Sequence, residues 1–438
     1  MSESFAQRLA RLRRDGPVGS SPAIPPKERR SLGLSAQQRE RLGRQNEAQP
    51  QGHTKTLGPP ARLEPFAPEV AIRTDRRTLD AVHGTLTFGQ TLTVCSGVLA
   101  RLGLDPALER LDLSRAVYLD IETTGLAGGA GTYSFLVALG SFESDSFCVR
   151  QLFLESPAGE PALLAEVARM VRASSGLVTF FGKSFDRHRL EDKMRQHGVP
   201  PPFAELPHLD LYHPCRRLYG KSFGDGRLQT LERHLLGFER ENDLSGAFAP
   251  AAWFDHLAGR PHLLEAVFHH NLLDVFSLAG LAAHVGDAER ERDGAGRPLP
   301  GPPLRRAIGL AAVAARRRDR EDQARWLQLA LERCMGEEDE PTRRKTSFEL
   351  GVVKRQLNDS AAALAIWEQL ASGSDRLAAL ARFEQGKWLA RRAETRAAGV
   401  AALRDARGRV LHVLSEPERS RVISDLDRRL QRFAGDPA

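Results

Sequence analysis

Cysteine is scarce and scattered. Cys95, Cys148, Cys215 and Cys334 are the four in the chain, and no two of them form a C-x-x-C pair. That spacing points to neither a disulfide framework nor a zinc site, and fits reduced thiols. No apolar run is read as approaching the roughly 20 residues a membrane helix needs, so no membrane association is expected. The N-terminus, MSESFAQRLARLRRDG, has arginines but no apolar signal core, and the expected location is the cytoplasm. Aromatic residues are few in 1–61, which is instead rich in Pro, Gly, Gln, Ser and Arg. Such a segment buries too little apolar surface to repay ordering, and a disordered basic N-terminal segment is expected there.

What is present is a globular composition, 41% hydrophobic and 27% charged, with charge unevenly placed. Residues 1–62 carry twelve Lys/Arg against five Asp/Glu, and residues 304–438 carry 27 against 20. The middle, 63–303, is acidic, with 24 against 31. An acidic centre between basic ends fits a carboxylate-rich site flanked by surfaces able to contact polyanions.

The pattern along the chain divides it into four parts. From residue 62 to 286 strands come first and then alternate with helices, the pattern of a mixed α/β sheet covered by helices. Strands are expected at 85–93, 116–122, 133–140, 147–154, 177–181 and 206–212, with helices at 160–173, 185–197, 229–236, 250–258 and 262–285. Residues 287–303, charged and then Gly/Pro-rich, read as a linker. From 304 to 438 everything reads as helix. Ile308-Gly309, Leu350-Gly351 and Gln385-Gly386 recur, each followed by an Ala-rich second helix. This is a helix-pair repeat of the tetratricopeptide kind, able to bind a protein partner.

The chemistry gathers on three short stretches. In VYLDIETTGL an apolar strand runs into Asp120 and Glu122, which as i and i+2 residues share one face. Alone, DIE could be ordinary polarity at a strand end. Asp186, in FFGKSFD, lies at the start of a helix, where an acid is also favoured by the helix dipole. In HHNLLDV, His270 and Asp274 stand four apart on one helical face, the spacing of a simple ion pair, while His269 is rotated away. Together the four carboxylates would suit two hard divalent cations, Mg²⁺ or Mn²⁺. Two such ions about 4 Å apart can activate water and stabilise an in-line phosphoryl displacement. A neighbouring His could take the proton of that water.

The order of these motifs, with HLDLYHPCRRLYG and LQTLERHLLGFERENDLSG between them, resembles the DEDD superfamily of ribonuclease-H-like 3′-5′ exonucleases. Within it, the chain is similar to the bacterial YprB type, which joins that domain to C-terminal tetratricopeptide-like helices. The resemblance implies a ribonuclease-H-like sheet with an all-α repeat region, and a metal-dependent exonuclease acting on single-stranded DNA or RNA. Carried over by position, it implies metal ligation by Asp120, Glu122, Asp186 and Asp274, with His270 as general base and His269 as the other candidate. Relatives tend to carry Asn where this chain has Phe181. Thr123, Lys183, Arg216, Arg217, Lys221 and Arg227 are the candidate nucleic-acid contacts, since cations can take phosphates while nearby aromatics stack bases. The alternative function is a non-catalytic nucleic-acid-binding adaptor whose repeats engage a protein.

Overall fold

A computed structural model describes residues 60–125, 131–241, 243–244 and 246–434. The disordered segment expected at 1–61 thus lies, up to residue 59, outside the described residues. So does most of the glycine loop that follows Thr124.

Among the described residues nine strands form: β1 (Glu64–Ala67), β2 (Val70–Thr78), β3 (Val82–His83), β4 (Leu86–Thr87), β5 (Val117–Thr123), β6 (Ser134–Glu143), β7 (Ser146–Leu154), β8 (Leu177–Thr179) and β9 (His208–Asp210). Seven make one sheet in the order β1-β2-β7-β6-β5-β8-β9, and β3 and β4 pair as a small hairpin. The meander β5-β6-β7 is antiparallel, as the polar SFESDS turn between two apolar runs requires. Beyond β5 the sheet becomes parallel, through β8 and β9. Strand β5 is therefore the seam between an antiparallel half and a parallel half.

Two differences from the sequence reading have plain causes. Strand β2 pairs along its length with β7, yet its VAIRTDRRT sequence hides it, because the polar end is exposed and only Val70, Ala71 and Arg73 are buried. The strand expected at 85–93 stops at Thr87 and becomes a one-turn helix, Phe88–Thr91. Thr87 and Gln90 form a capping box there, with the Thr87 N–H donating to Gln90 Oε1 at 2.7 Å. A reciprocal cap outweighs a weak alternation of Thr and Leu.

The longer described helices that cover the sheet are α1 (Ser96–Gly103), α2 (Glu160–Arg172), α3 (Asp186–Gln196), α4 (Tyr212–Tyr219), α5 (Ala249–Leu257) and α6 (Leu264–Gly286). Helix α6 crosses both cores. Val267 and Phe268 join the layer beneath α2, α3 and α5, while Val275, Leu278 and Leu281 join the opposite layer with Tyr118 and Phe147. Contrary to the sequence reading, α6 is long and apolar enough to cross a membrane, but its apolar window is 83% buried within the protein. It has the environment of a core helix. Its Asn271 is fully buried and accepts from Gln151 Nε2 at 2.9 Å.

Seven further helices follow: α7 (Pro303–Arg317), α8 (Arg320–Glu332), α9 (Glu340–Gln356), α10 (Ser360–Ala371), α11 (Arg376–Leu389), α12 (Arg396–Val413) and α13 (Glu418–Ala434). They stack as three hairpins and a final helix. Asp319, Asp359 and Asp375 cap α8, α10 and α11 by accepting backbone N–H groups, which is what an N-cap acid supplies. The residues read as a linker are tied down. Asp293 accepts from the N–H groups of Ala295 and Arg297, both at 2.9 Å, and Leu299 is buried.

Candidate active site at the seam of the sheet

Strand β5 alternates by face. Leu119 and Ile121 enter the core beneath α2 and α3, and Asp120 and Glu122 point to the side crossed by α6. The β5–β6 register slips between Glu122 and Thr123. A bulge at that point turns the chain away just past the two acids. Thr123, a candidate nucleic-acid contact, is buried and donates its hydroxyl to the Gly125 carbonyl at 3.1 Å.

Asp186 opens α3 and is buried. The loop before it is pinned by a residue the sequence reading passed over. Asp210, at the end of β9, accepts the backbone N–H groups of Phe181 (2.8 Å), Lys183 (3.0 Å) and Tyr212 (3.2 Å). Gly182 is needed in that loop, since a Cβ there would lie 2.6 Å from the Thr179 side chain and 2.9 Å from Asp186 Oδ2. Phe181 adopts φ +62°, a left-handed conformation that Asn tolerates several-fold better than most residues. The backbone alone thus accounts for an Asn at this position. The Phe181 ring is 48% exposed and meets Tyr212 edge-on, with centroids 5.1 Å apart.

Helix α6 brings the last two groups. Ligand atoms of Glu122, His270 and Asp274 all lie within 4.8 Å of one another. Asp120 joins the same helix one residue away, accepting from Asn271 Nδ2 at 2.7 Å. The His270 ring sits among the acids. His270 Nδ1 faces the Asp243 carboxylate at 2.8 and 2.9 Å, and Nε2 lies 3.6 Å from Asp274 Oδ2.

Arg240, also absent from the sequence reading, underlies the cluster. Its side chain is 3% exposed and forms ion pairs with Glu232, Asp243 and Asp274. Its Nε donates to Glu232 Oε2 at 2.7 Å. Arg240 and Asp243 both lie in the ERENDLSG run, which carries part of the family resemblance but was assigned no role for either residue. Nothing local announces that this run folds back onto α6.

The electrostatics follow from crowding acids away from water. Burial, with the charges of Asp274, Asp186 and Glu122, raises the Asp120 carboxyl well above its ordinary range. Asp186 is raised for the same reason, burial first and then Asp210, Glu122 and Asp274. Burial pushes Glu122 up to about 8 despite the attraction of His270. For His270 burial acts downward but is outweighed by Asp274, the bond to Asp243 and Glu122, which push it up to about 9. In the ion-free arrangement its ring therefore carries a proton at neutral pH.

This has a measurable consequence. Glu122 and His270 both have folded-state values above their unfolded ones, so each favours folding most at low pH and loses that contribution as pH rises to its folded value. In chelator, stability should fall as pH rises from about 4.5 to about 9. Adding Mn²⁺ should flatten that slope, because a cation supplies the positive charge that protons otherwise provide. Melting temperatures across this range, with and without Mn²⁺, check it; an unchanged slope on adding metal would contradict the site.

The remaining sequence candidates divide. Lys183 is 3.4 Å from Asp105 and paired with it. Lys221 and Arg227 are exposed, and Arg227 lines a cleft of about 640 Å³ with Arg233, Arg240, Asp243 and Gly246. Arg216 and Arg217 lie at the other flank, on α4, where His213 approaches Asp210 at 3.8 Å.

A family model described as the RNase_H superfamily matches residues 117–286, from β5 to the end of α6. A protein of Bacillus subtilis (strain 168) called "Uncharacterized protein YprB" is 30% identical over 298 residues, 66% of this chain and 68% of its own length. The family-model match spans the segment that carries Glu122, His270 and Asp274, on a superfamily fold associated with cleavage of nucleic acid. Residues 117–286 form a domain of the RNase_H superfamily, and the chain belongs to the family of that Bacillus protein.

Proposed function

We propose that the protein is a metal-dependent exonuclease that hydrolyses phosphodiester bonds of single-stranded DNA or RNA, working from the 3′ end. One observation carries the reading: carboxylates from β5, α3 and α6 are crowded at the sheet seam around a histidine. Their mutual repulsion is what a pair of divalent cations relieves. The donor set fits Mg²⁺ or Mn²⁺, being carboxylate oxygens rather than thiolates. Asp120, Glu122, Asp186 and Asp274 would hold the ions. When bound, such ions activate water and stabilise the attacking and leaving oxygens of an in-line displacement.

The protein's own groups do the rest. Asp243 holds His270 by Nδ1 and leaves Nε2 turned toward Asp274. Nε2 takes a proton from water as the water oxygen bonds to the terminal phosphorus. The P–O3′ bond then breaks, releasing a 5′-nucleotide, and the departing O3′ takes a proton from solvent to become the new 3′ hydroxyl. Once Glu122 and Asp274 are engaged by cations, the carboxylate field that keeps the His270 proton in place falls, and the ring returns toward its ordinary range. Arg227 and Arg233 line the adjoining cleft with Glu239, and these two arginines would take backbone phosphates.

A second reading has an observation of its own. The Arg240 guanidinium is already bonded to Asp274, as an internal cation would be in a non-catalytic adaptor that binds nucleic acid and recruits a protein through its helical hairpins. One experiment separates the two. Full-length protein is incubated with 3′- and 5′-labelled single-stranded DNA and RNA, in Mg²⁺, Mn²⁺ or chelator, beside Asp120→Ala/Asp274→Ala. Metal-dependent shortening lost in the double variant is expected. Binding without shortening in any metal would favour the adaptor.

A further inference from the structure

Helix α4 and helix α7 meet so closely that Gly309 has no room for a side chain: a Cβ there would lie 2.5 Å from Leu218 Cα and O and 2.6 Å from Arg217 O. This contact joins the sheet domain to the first helix hairpin. Beside it opens a cavity of about 340 Å³ lined by His213, Arg216 and Arg217 from one side and by Ala312, Val313 and Arg316 from the other.

Three guanidinium groups edge this cavity, and no carboxylate pairs with any of them among the described residues. Arg217 donates Nη1 to the carbonyls of Leu102 (2.8 Å) and Gly103 (3.1 Å), and Arg216 lies over the Tyr212 ring, 5.9 Å from its centre. Arg316 faces them from α7. The crowding is felt: burial and the Arg316 charge both act against the charged form of Arg217. Elsewhere in the helical region most arginines are matched to acids, as Arg317 is to Asp319 and Asp322, or Arg344 to Asp375. A like-charged trio left without acids is a place for an anion.

The cavity is also on the way to the acid cluster. Phe181, in the loop before Asp186, meets Tyr212, and Tyr212 carries Arg216. His213 reaches Asp210, which pins that same loop. An exposed ring, a second ring and then paired guanidiniums make the alternation that single-stranded nucleic acid uses, bases on aromatics and phosphates on cations.

We propose that this junction pocket holds a backbone phosphate of the nucleic-acid strand, so that the helical region contributes Arg316 to the substrate track. The proposal rests on the nucleic-acid reading above and deepens it, giving the first hairpin a role in substrate binding.

The test is oligonucleotide binding by the full chain in chelator, followed by fluorescence anisotropy over a salt series. Arg316→Glu should weaken binding at least tenfold and reduce the slope of log affinity against log salt by about 0.7, the value for one single-strand phosphate. Arg404→Glu, which alters net charge equally at an exposed position on α12, should leave both nearly unchanged. Arg316→Lys should restore most of the affinity, and Arg216→Ala serves if Arg316→Glu melts early. Equal affinity for wild type and Arg316→Glu overturns the proposal, as does equal weakening by Arg404→Glu. Inorganic phosphate that raises the melting temperature only of proteins retaining Arg316, with oligonucleotide affinity indifferent to Arg316, makes this a free-anion site and also overturns it. If Arg316-dependent binding is found without cleavage in Mn²⁺, the track stands and the nuclease reading falls. Cleavage with Arg316-independent binding gives the reverse, and a wild type that binds no oligonucleotide removes both.

Discussion

Asp120→Asn is expected to lower phosphodiester hydrolysis by on the order of 10³-fold or more, the scale seen when one member of a catalytic unit is removed. The same substitution should make the chelated protein more stable. The Asp120 carboxyl is raised well above the ordinary range by burial and by the charges of Asp274, Asp186 and Glu122. Neutralising it removes repulsion that the fold otherwise bears, while Asn can still accept the hydrogen bond from Asn271 Nδ2. The gain should show as a higher melting temperature of the chelated variant near pH 8. The increase in melting temperature produced by Mn²⁺ should shrink together with activity. A variant that loses activity but keeps the whole metal-induced increase would place the ions elsewhere.

Arg240→Met should be the most destabilising single change in the site, costing about 3–5 kcal/mol, because it leaves buried charges without their partner. The guanidinium is shared by three carboxylates, and Glu232 has no exposed side-chain surface at all. Deleting it leaves Glu232 beside Asp243 and Asp274 with only His270 to offset them. For a domain of about 200 residues that corresponds to a fall in melting temperature of roughly 10 °C. Arg240→Lys should recover only part of the loss, since one ammonium cannot present the fork that meets Glu232 and Asp274 together. Mn²⁺ should rescue Arg240→Met in part through Asp274, but not through Glu232. Thermal melts of the three proteins with and without Mn²⁺ measure both effects. A Met variant as stable as wild type would mean that Glu232 and its neighbours are protonated in the fold.

The two predictions pull on opposite sides of one balance. Asp120, Glu122, Asp186 and Asp274 bring excess negative charge to the seam, and Arg240 with His270 provides the internal positive charge that lets the ion-free protein fold. Asp274 touches both sets. Removing an acid relieves the fold at the expense of chemistry, whereas removing Arg240 injures the fold first.

The amino-acid order by itself determined a good deal. Asp120 and Glu122 share a face because strand geometry alternates, Asp186 opens a helix, and His270 and Asp274 share a helical face because of the 3.6-residue turn. These are local rules, so the α/β sheet, the helical hairpins and the three acid-bearing stretches could all be read from the chain. The tertiary structure alone decided the rest. That His270 Nδ1 is held by Asp243, that Arg240 lies against Asp274, and that Asp210 ties down the loop of Asp186 depend on contacts across 27 to 34 residues. The same holds for Arg316, more than 90 positions from Arg216 and Arg217, which it joins only because Gly309 lets α7 lie against α4. Charge interactions act through space without periodicity, so no spacing in the sequence announces which acid meets which arginine.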